Sequence, residues 1–145
     1  MIRVTHETAI AAPAECLWSV STEIERWPDW LPTVSKARNL SQEPFGPGRR
    51  FELKQPLQPA AVWEVTECVP GVGFTWRRRS GGLLRLEARH EVLGAGAMTI
   101  SRLEIVGSGP LSVLLWPVLW VVFSLALGWE NAALKARCEA PSVPG

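Results

Sequence analysis

A chain of 145 residues, 47% hydrophobic and 20% charged, carries enough apolar surface for one buried core and is too apolar to be disordered. Fifteen Lys and Arg against fourteen Asp and Glu leave a formal charge of +1, so no global field draws it to phosphate backbones and no nucleic-acid partner is expected. Cys16, Cys68 and Cys138 stand far apart without a CxxC pair or flanking histidines, so neither a disulfide framework nor a zinc site is indicated; reduced thiols in a cytosolic protein are expected, without metal or cofactor.

Residues 2–10 alternate Ile2, Val4, His6, Thr8, Ile10 against Arg3, Thr5, Glu7 and Ala9, a period of two that predicts a strand rather than a secretory signal. In AAPAECLWSV, Pro13 suits the first turn of a helix and Glu15 its positive end, with Leu17, Trp18 and Val20 supplying the apolar side. A second short helical turn is expected in STEIERW, broken by WPDWLP, where each proline holds its predecessor extended. Six strands follow, at 33–40, 48–55, 60–68, 72–79, 83–92 and 97–106, separated by EPFGPG, PLQP, VPG, SGG and GAG. Those separators predict an antiparallel meander. One long helix from Gly109 and Pro110 to Glu139 closes the chain, bent by Pro117 or broken near Val113, and residues 141–145 read as a frayed tail.

The fold class predicted is α+β: a seven-stranded curved antiparallel sheet wrapped around the C-terminal helix, with two short helices after the first strand, as one domain over 1–140. The stretches ETAIAAPAECLWSV, IERWPDWLPTV, GPGRRFELKQP, WEVTECVPGVGFTW and the closing LKARCEA resemble the polyketide cyclase/dehydrase-type members of the START/Bet v 1-like (SRPBCC) superfamily. The resemblance covers about Val4 to Glu139 and implies a helix-grip fold around a pocket for a hydrophobic small molecule.

The apolar phase of the strands supplies the expected pocket wall: Phe51, Leu53, Trp63, Val65, Phe74, Trp76, Leu84, Leu86, Ala88 and Val92. Eight tryptophans, four phenylalanines and no tyrosine make that interior indole-heavy. Glu64, Arg77, Arg79, Arg85, Glu87, Arg89 and Glu91 take the outer phase. In the last strand either Met98 and Ile100 or Leu103 and Ile105 face inward, since GAGAM permits a bulge.

Four polar residues share the inward phase, Gln55 and Arg78 toward one end of the sheet, Glu67 and His90 toward the other. His90 is the candidate general acid or base or ligand contact, and the alternative is a strand-end histidine satisfied by water or a carbonyl. Arg78 offers a donor fork for a carboxylate or enolate oxygen, and the alternative is a rim residue in solvent. Several polyketide cyclases steer aldol condensation and dehydration with arginine, tyrosine, histidine or acidic side chains in the pocket, and this sequence departs from the tyrosine part. No GxSxG elbow, HExxH, phosphate loop or defensible carboxylate pair is present. Trp27 and Trp30 either gate the pocket mouth or pack a helical corner.

Leu111 to Leu127 is apolar on all sides over seventeen residues, short of the ~20 that span a bilayer. Its free side calls for a cover: a second subunit first, because two such faces pair without charge, then a membrane surface, a bound lipid, or the protein's own loops. Three functions remain open: binding of a lipid or polyketide-like ligand, a cyclase or dehydratase using His90 and Arg78, or a protein-interaction module docking through the apolar helix.

Overall fold

The structure, a computed structural model, describes residues 1–56, 58–78, 81–94 and 96–140. Arg79 and the 141–145 tail, given an outward phase and a frayed end above, lie outside the described residues. The chain runs β1 (Ile2–Ile10), α1 (Ala14–Thr22), a 3-10 turn (Ile24–Arg26), α2 (Trp27–Trp30), then β2 (Lys36–Asn39), β3 (Arg50–Lys54), β4 (Ala61–Val69), β5 (Gly73–Arg78), β6 (Arg85–Leu93) and β7 (Thr99–Ser108). It ends in α3 (Pro110–Leu114) and α4 (Trp116–Glu139).

The seven strands form one antiparallel sheet in the order β1-β7-β6-β5-β4-β3-β2, so β2 to β7 are the expected meander and β1 closes its far edge against β7. In β1 Ile2, Val4 and Ile10 are buried, and in β3 Phe51 and Leu53, as the period of two requires. The β7 phase is settled by the same rule: Leu103 is buried and Ile105 packs on the core, while Met98 and Ile100 are exposed. Outside, Arg77 Nη2 meets Glu64 Oε2 at 3.7 Å across the β4–β5 pair, and Arg102 Nε meets Glu7 Oε1 at 2.9 Å across β1–β7.

Pro13 stands just ahead of α1 as its N-cap, in extended conformation, with Glu15 in the first turn. The WPDW segment differs from expectation: Trp27–Trp30 is a single α-turn that accepts Pro28 in its first turn, where no backbone donor is needed. The break falls at Leu31, extended ahead of Pro32. The C-terminal helix is likewise two pieces, divided at Leu115, with Pro117 in the first turn of α4. Without an N–H, Pro117 cannot bond the Val113 carbonyl, and the ladder restarts with Leu119 N–H donating to Leu115 O at 2.9 Å.

α4 lies against β1 and β7 and faces the interior with Phe123, Leu127, Asn131 and Leu134, a spacing of three and four. Its inner end is fixed by polar contacts. Asn131, 0% exposed, accepts from the Ser101 hydroxyl at 2.7 Å, stands 2.8 Å from His6 Nδ1 and donates to the His6 carbonyl at 3.2 Å. Gly107 lets β7 pass Ile2, because a Cβ there would stand 2.8 Å from Ile2 Cγ2.

Candidate functional site

The inward faces of β3 to β6 meet α2 and α4 in a cluster dominated by rings. Phe45, Phe51, Trp63, Phe74, Trp76 and Trp27 make contacts with centroids 4.8 to 6.3 Å apart. The expected wall is therefore filled by its own side chains. Phe51, Leu53, Trp63, Val65, Phe74, Trp76, Leu86, Ala88 and Val92 are buried where alternation placed them, and Leu84 is half-buried against the cluster. Phe45, from the loop between β2 and β3, was not legible as a wall residue; it seats edge-on to Phe74 at 4.8 Å and to Trp18 at 6.4 Å.

His90 stands at the centre of this ring cluster. It stacks on Phe74 at 4.6 Å with planes 9° apart, and Trp27 and Trp76 lie 5.7 and 5.8 Å away. On its α4 side, Nδ1 faces Glu130 Oε1 at 3.7 Å. Burial pulls the imidazole down from 6.5 to about 3 and pushes the Glu130 carboxyl up from 4.5 to about 7, because neither charge is well solvated there. A neutral imidazole thus faces a carboxyl poised to gain or lose its proton near neutral pH. Glu130 retains 21% side-chain exposure, through which it can exchange that proton with water.

Two donors in the same cluster lack partners. Trp27 and Trp63 are 3% and 7% exposed, and neither indole Nε1 has a hydrogen-bond partner among the described residues. An unpaired buried donor costs roughly 1–3 kcal/mol, which a ligand oxygen or a water recovers. Trp27 is therefore part of the interior, as the packing alternative had it, and the half-buried Trp30 leans on it edge-on at 6.1 Å.

The other polar expectations fare differently. Glu67 is exposed, because β4 bulges between Val65 and Glu67. The extra residue, Thr66, reverses the phase, so Cys68 instead of Glu67 packs inward opposite Phe74, and burial pushes its thiol up. Arg78 pairs across from Trp63 and is half-buried, its Nη1 donating to Gln58 Oε1 at 3.0 Å. His90 pairs with Phe74, four residues from Arg78, a separation of about 13 Å along the strand. The two expected catalytic partners are not brought together. Gln55 lies half-buried just past β3. Among the described residues no His, Cys, Asp and Glu group could hold a metal ion.

Open hollows lie at the surface of the described residues. One, between the 3-10 turn and the β2–β3 loop, is floored by Phe45 and Phe51 and so reaches the ring cluster from outside.

Residues 1–139 match the family described as "Polyketide cyclase / dehydrase and lipid transport". Among solved structures, the chain is similar to a START superfamily protein from Mycobacterium smegmatis, with 19% identity, 94% of this chain and 97% of the other covered, and a TM-score of 0.77. It is also similar to the Zhui aromatase/cyclase from Streptomyces sp. R1128, with 16% identity, coverage of 95% and 93%, and a TM-score of 0.72. A third is norcoclaurine synthase from Thalictrum flavum, solved with dopamine and hydroxybenzaldehyde, with 15% identity, coverage of 98% and 89%, and a TM-score of 0.72. At these identities the likeness is one of fold, the helix-grip arrangement that the strand order predicted.

Proposed function

We propose that this chain, which belongs to the polyketide cyclase/dehydrase and lipid transport family, binds a hydrophobic small molecule carrying an oxygen acceptor, between the inner sheet face and α4. One observation carries the reading: two buried indole N–H groups, of Trp27 and Trp63, are unpartnered inside the ring cluster. A ligand oxygen placed against either donor satisfies it, while the apolar body of the ligand replaces ring contacts. Phe45 is the side chain we assign to give way, since it belongs to a loop and floors the hollow that leads inward.

The test is native mass spectrometry of protein purified from its own host, followed by organic extraction, then titration with paired apolar probes that differ by one carbonyl. A co-purifying lipid or polyketide supports the reading. Trp63→Phe should weaken the carbonyl probe by about 2- to 10-fold and leave the hydrocarbon probe within twofold, the range of one net hydrogen bond. An empty protein that takes up neither probe would falsify it.

A second reading is favoured by the His90–Glu130 contact: a cyclase or dehydratase for a polyketide-like substrate. One member of the pair takes the proton from a carbon between two carbonyls, and the enolate carbon bonds to the carbon of a third carbonyl further along the substrate, whose C=O π bond opens to an alkoxide. The alkoxide receives the proton back as a hydroxyl, which then leaves as water together with the remaining proton of the attacking carbon. The Trp27 N–H, whose ring lies 5.7 Å from His90, serves as an oxyanion donor. His90→Ala should abolish turnover and leave binding largely intact; unchanged turnover removes His90 from the chemistry.

A further inference from the structure

From Pro110 to Trp129 the chain carries no charged residue, yet α3 buries only Ser112, and the first half of α4 buries only Phe123 and Leu127. Leu114, Trp116, Val118, Trp120, Leu125 and Trp129 are all exposed, and the protein's own loops do not cover them. At ~100° per residue, Trp116 and Trp120 lie within ~40° of each other on the side that leads to Phe123, whereas Val118 and Leu125 lie on the opposite side. The ridge is therefore apolar on both flanks. A neighbouring turn extends it: Leu83, 65% exposed, accepts the Leu111 N–H at 3.0 Å.

Arginines border the same end of the molecule. Arg85 pairs with Ser108, next to the start of α3, and Arg3 pairs with Val106 on the adjoining strand. Neither has an ion-pair partner among the described residues, and both line one hollow with Arg77, beside Glu87 and Glu104. A second copy of the chain packed against this ridge would cover one flank and leave the other in water. A bilayer surface receives both flanks, seats tryptophans at headgroup level and meets the arginines with anionic lipid.

We propose that α3, the first half of α4 and the Leu83 turn insert as one peripheral element into the surface of a bilayer containing anionic lipid. The chain does not span, since the second half of α4 is fixed to the sheet through Asn131 and Leu134. The proposal does not depend on the interior site, because the residues of the ridge are exposed outside the ring cluster.

The experiment is co-sedimentation of the whole chain with phosphatidylcholine vesicles and with mixed phosphatidylcholine–phosphatidylglycerol vesicles, repeated at high salt and with brominated lipids. Expected are binding to the mixed vesicles, weaker binding to phosphatidylcholine alone, and tryptophan quenching by bromine. The double variant Trp116→Ser/Trp120→Ser should lose at least tenfold in partitioning, and Arg85→Glu about fivefold or more on the mixed vesicles alone. Circular dichroism and the urea midpoint check that the exposed substitutions leave the fold intact. Absence of vesicle binding overturns the proposal, as does binding that both variants retain. A dilution-resistant dimer in light scattering that the tryptophan substitutions dissociate, with no vesicle binding, assigns the ridge to a second copy instead.

Discussion

The Nδ1 of His90, on β6, and the carboxyl Oε1 of Glu130, on α4, stand 3.7 Å apart, so the sheet and the helix it grips meet through two titratable groups. Their burial works in opposite directions on the two protons. Burial withholds a proton from the imidazole and retains one on the carboxyl.

That opposition sets the pH dependence of stability. Glu130 is held at about 7 against 4.5 unfolded, so its contribution is whole below pH 4.5 and is lost as pH rises through 7. His90 is held at about 3 against 6.5 unfolded, so its contribution is whole above pH 6.5 and is lost as pH falls toward 3. The slopes oppose each other between pH 4.5 and 6.5, each at most about 1.4 kcal/mol per pH unit, and their sum there is nearly flat. Glu130→Gln removes the descending arm. Its stability, from urea titrations at fixed pH, should climb across that window where the parent is level; an equally level variant would show that Glu130 holds no proton.

Asn131 ties α4 to β1 and β7 at zero exposure. Asn131→Ala opens a small void and leaves the Ser101 hydroxyl unpaired, so it should cost about 2–4 kcal/mol. Ser101→Ala, which strands one amide oxygen, should cost about 1–3 kcal/mol. Chemical denaturation measures both. A loss below about 1 kcal/mol for Asn131→Ala would mean that water replaces the amide.

Gly109 takes φ +98°, and a Cβ there would stand 2.7 Å from the Leu83 carbonyl oxygen. Both the dihedral and the backbone contact oppose a side chain, so Gly109→Ala should lower stability by about 1–3 kcal/mol. The thermal midpoint reports it. An unchanged midpoint would mean that the α3 entrance rearranges freely.

Burial, helped by a hydrogen bond with Cys16, raises the Cys138 thiol to about 12. Cys138 should resist alkylation by iodoacetamide at pH 8 and become reactive in urea. Peptide mapping by mass spectrometry decides this; rapid native labelling would contradict the burial of that thiol.

Most of the fold was legible because strand alternation is a local signal that Phe51, Leu53, Trp63 and Trp76 each obey. Glu67 was misplaced for an equally physical reason: a bulge is one residue of extra length, and nothing in the side chains around Thr66 declares it. Glu130 was missed because a charged residue in a helical tail reads as solvated, and its inward position depends on the rotation of α4. His6 and Ser101 looked like ordinary strand residues until Asn131 arrived from 125 and 30 positions away. The β5 register keeps Arg78 and His90 toward opposite ends of the sheet, as the strand phase expected.

β1 pairs with β7 from Ile2 opposite Gly107 to Ile10 opposite Thr99. Of these seven strands β1 is made first and its partner β7 last, so it waits, unpaired and half apolar, while the meander from β2 to β7 forms by local steps. Closure by β1 comes late in folding, so Val4→Ala should speed unfolding in a chevron and leave the refolding limb almost unmoved. Chaperone capture of that segment would meet its greatest demand during synthesis, before residue 99 is made.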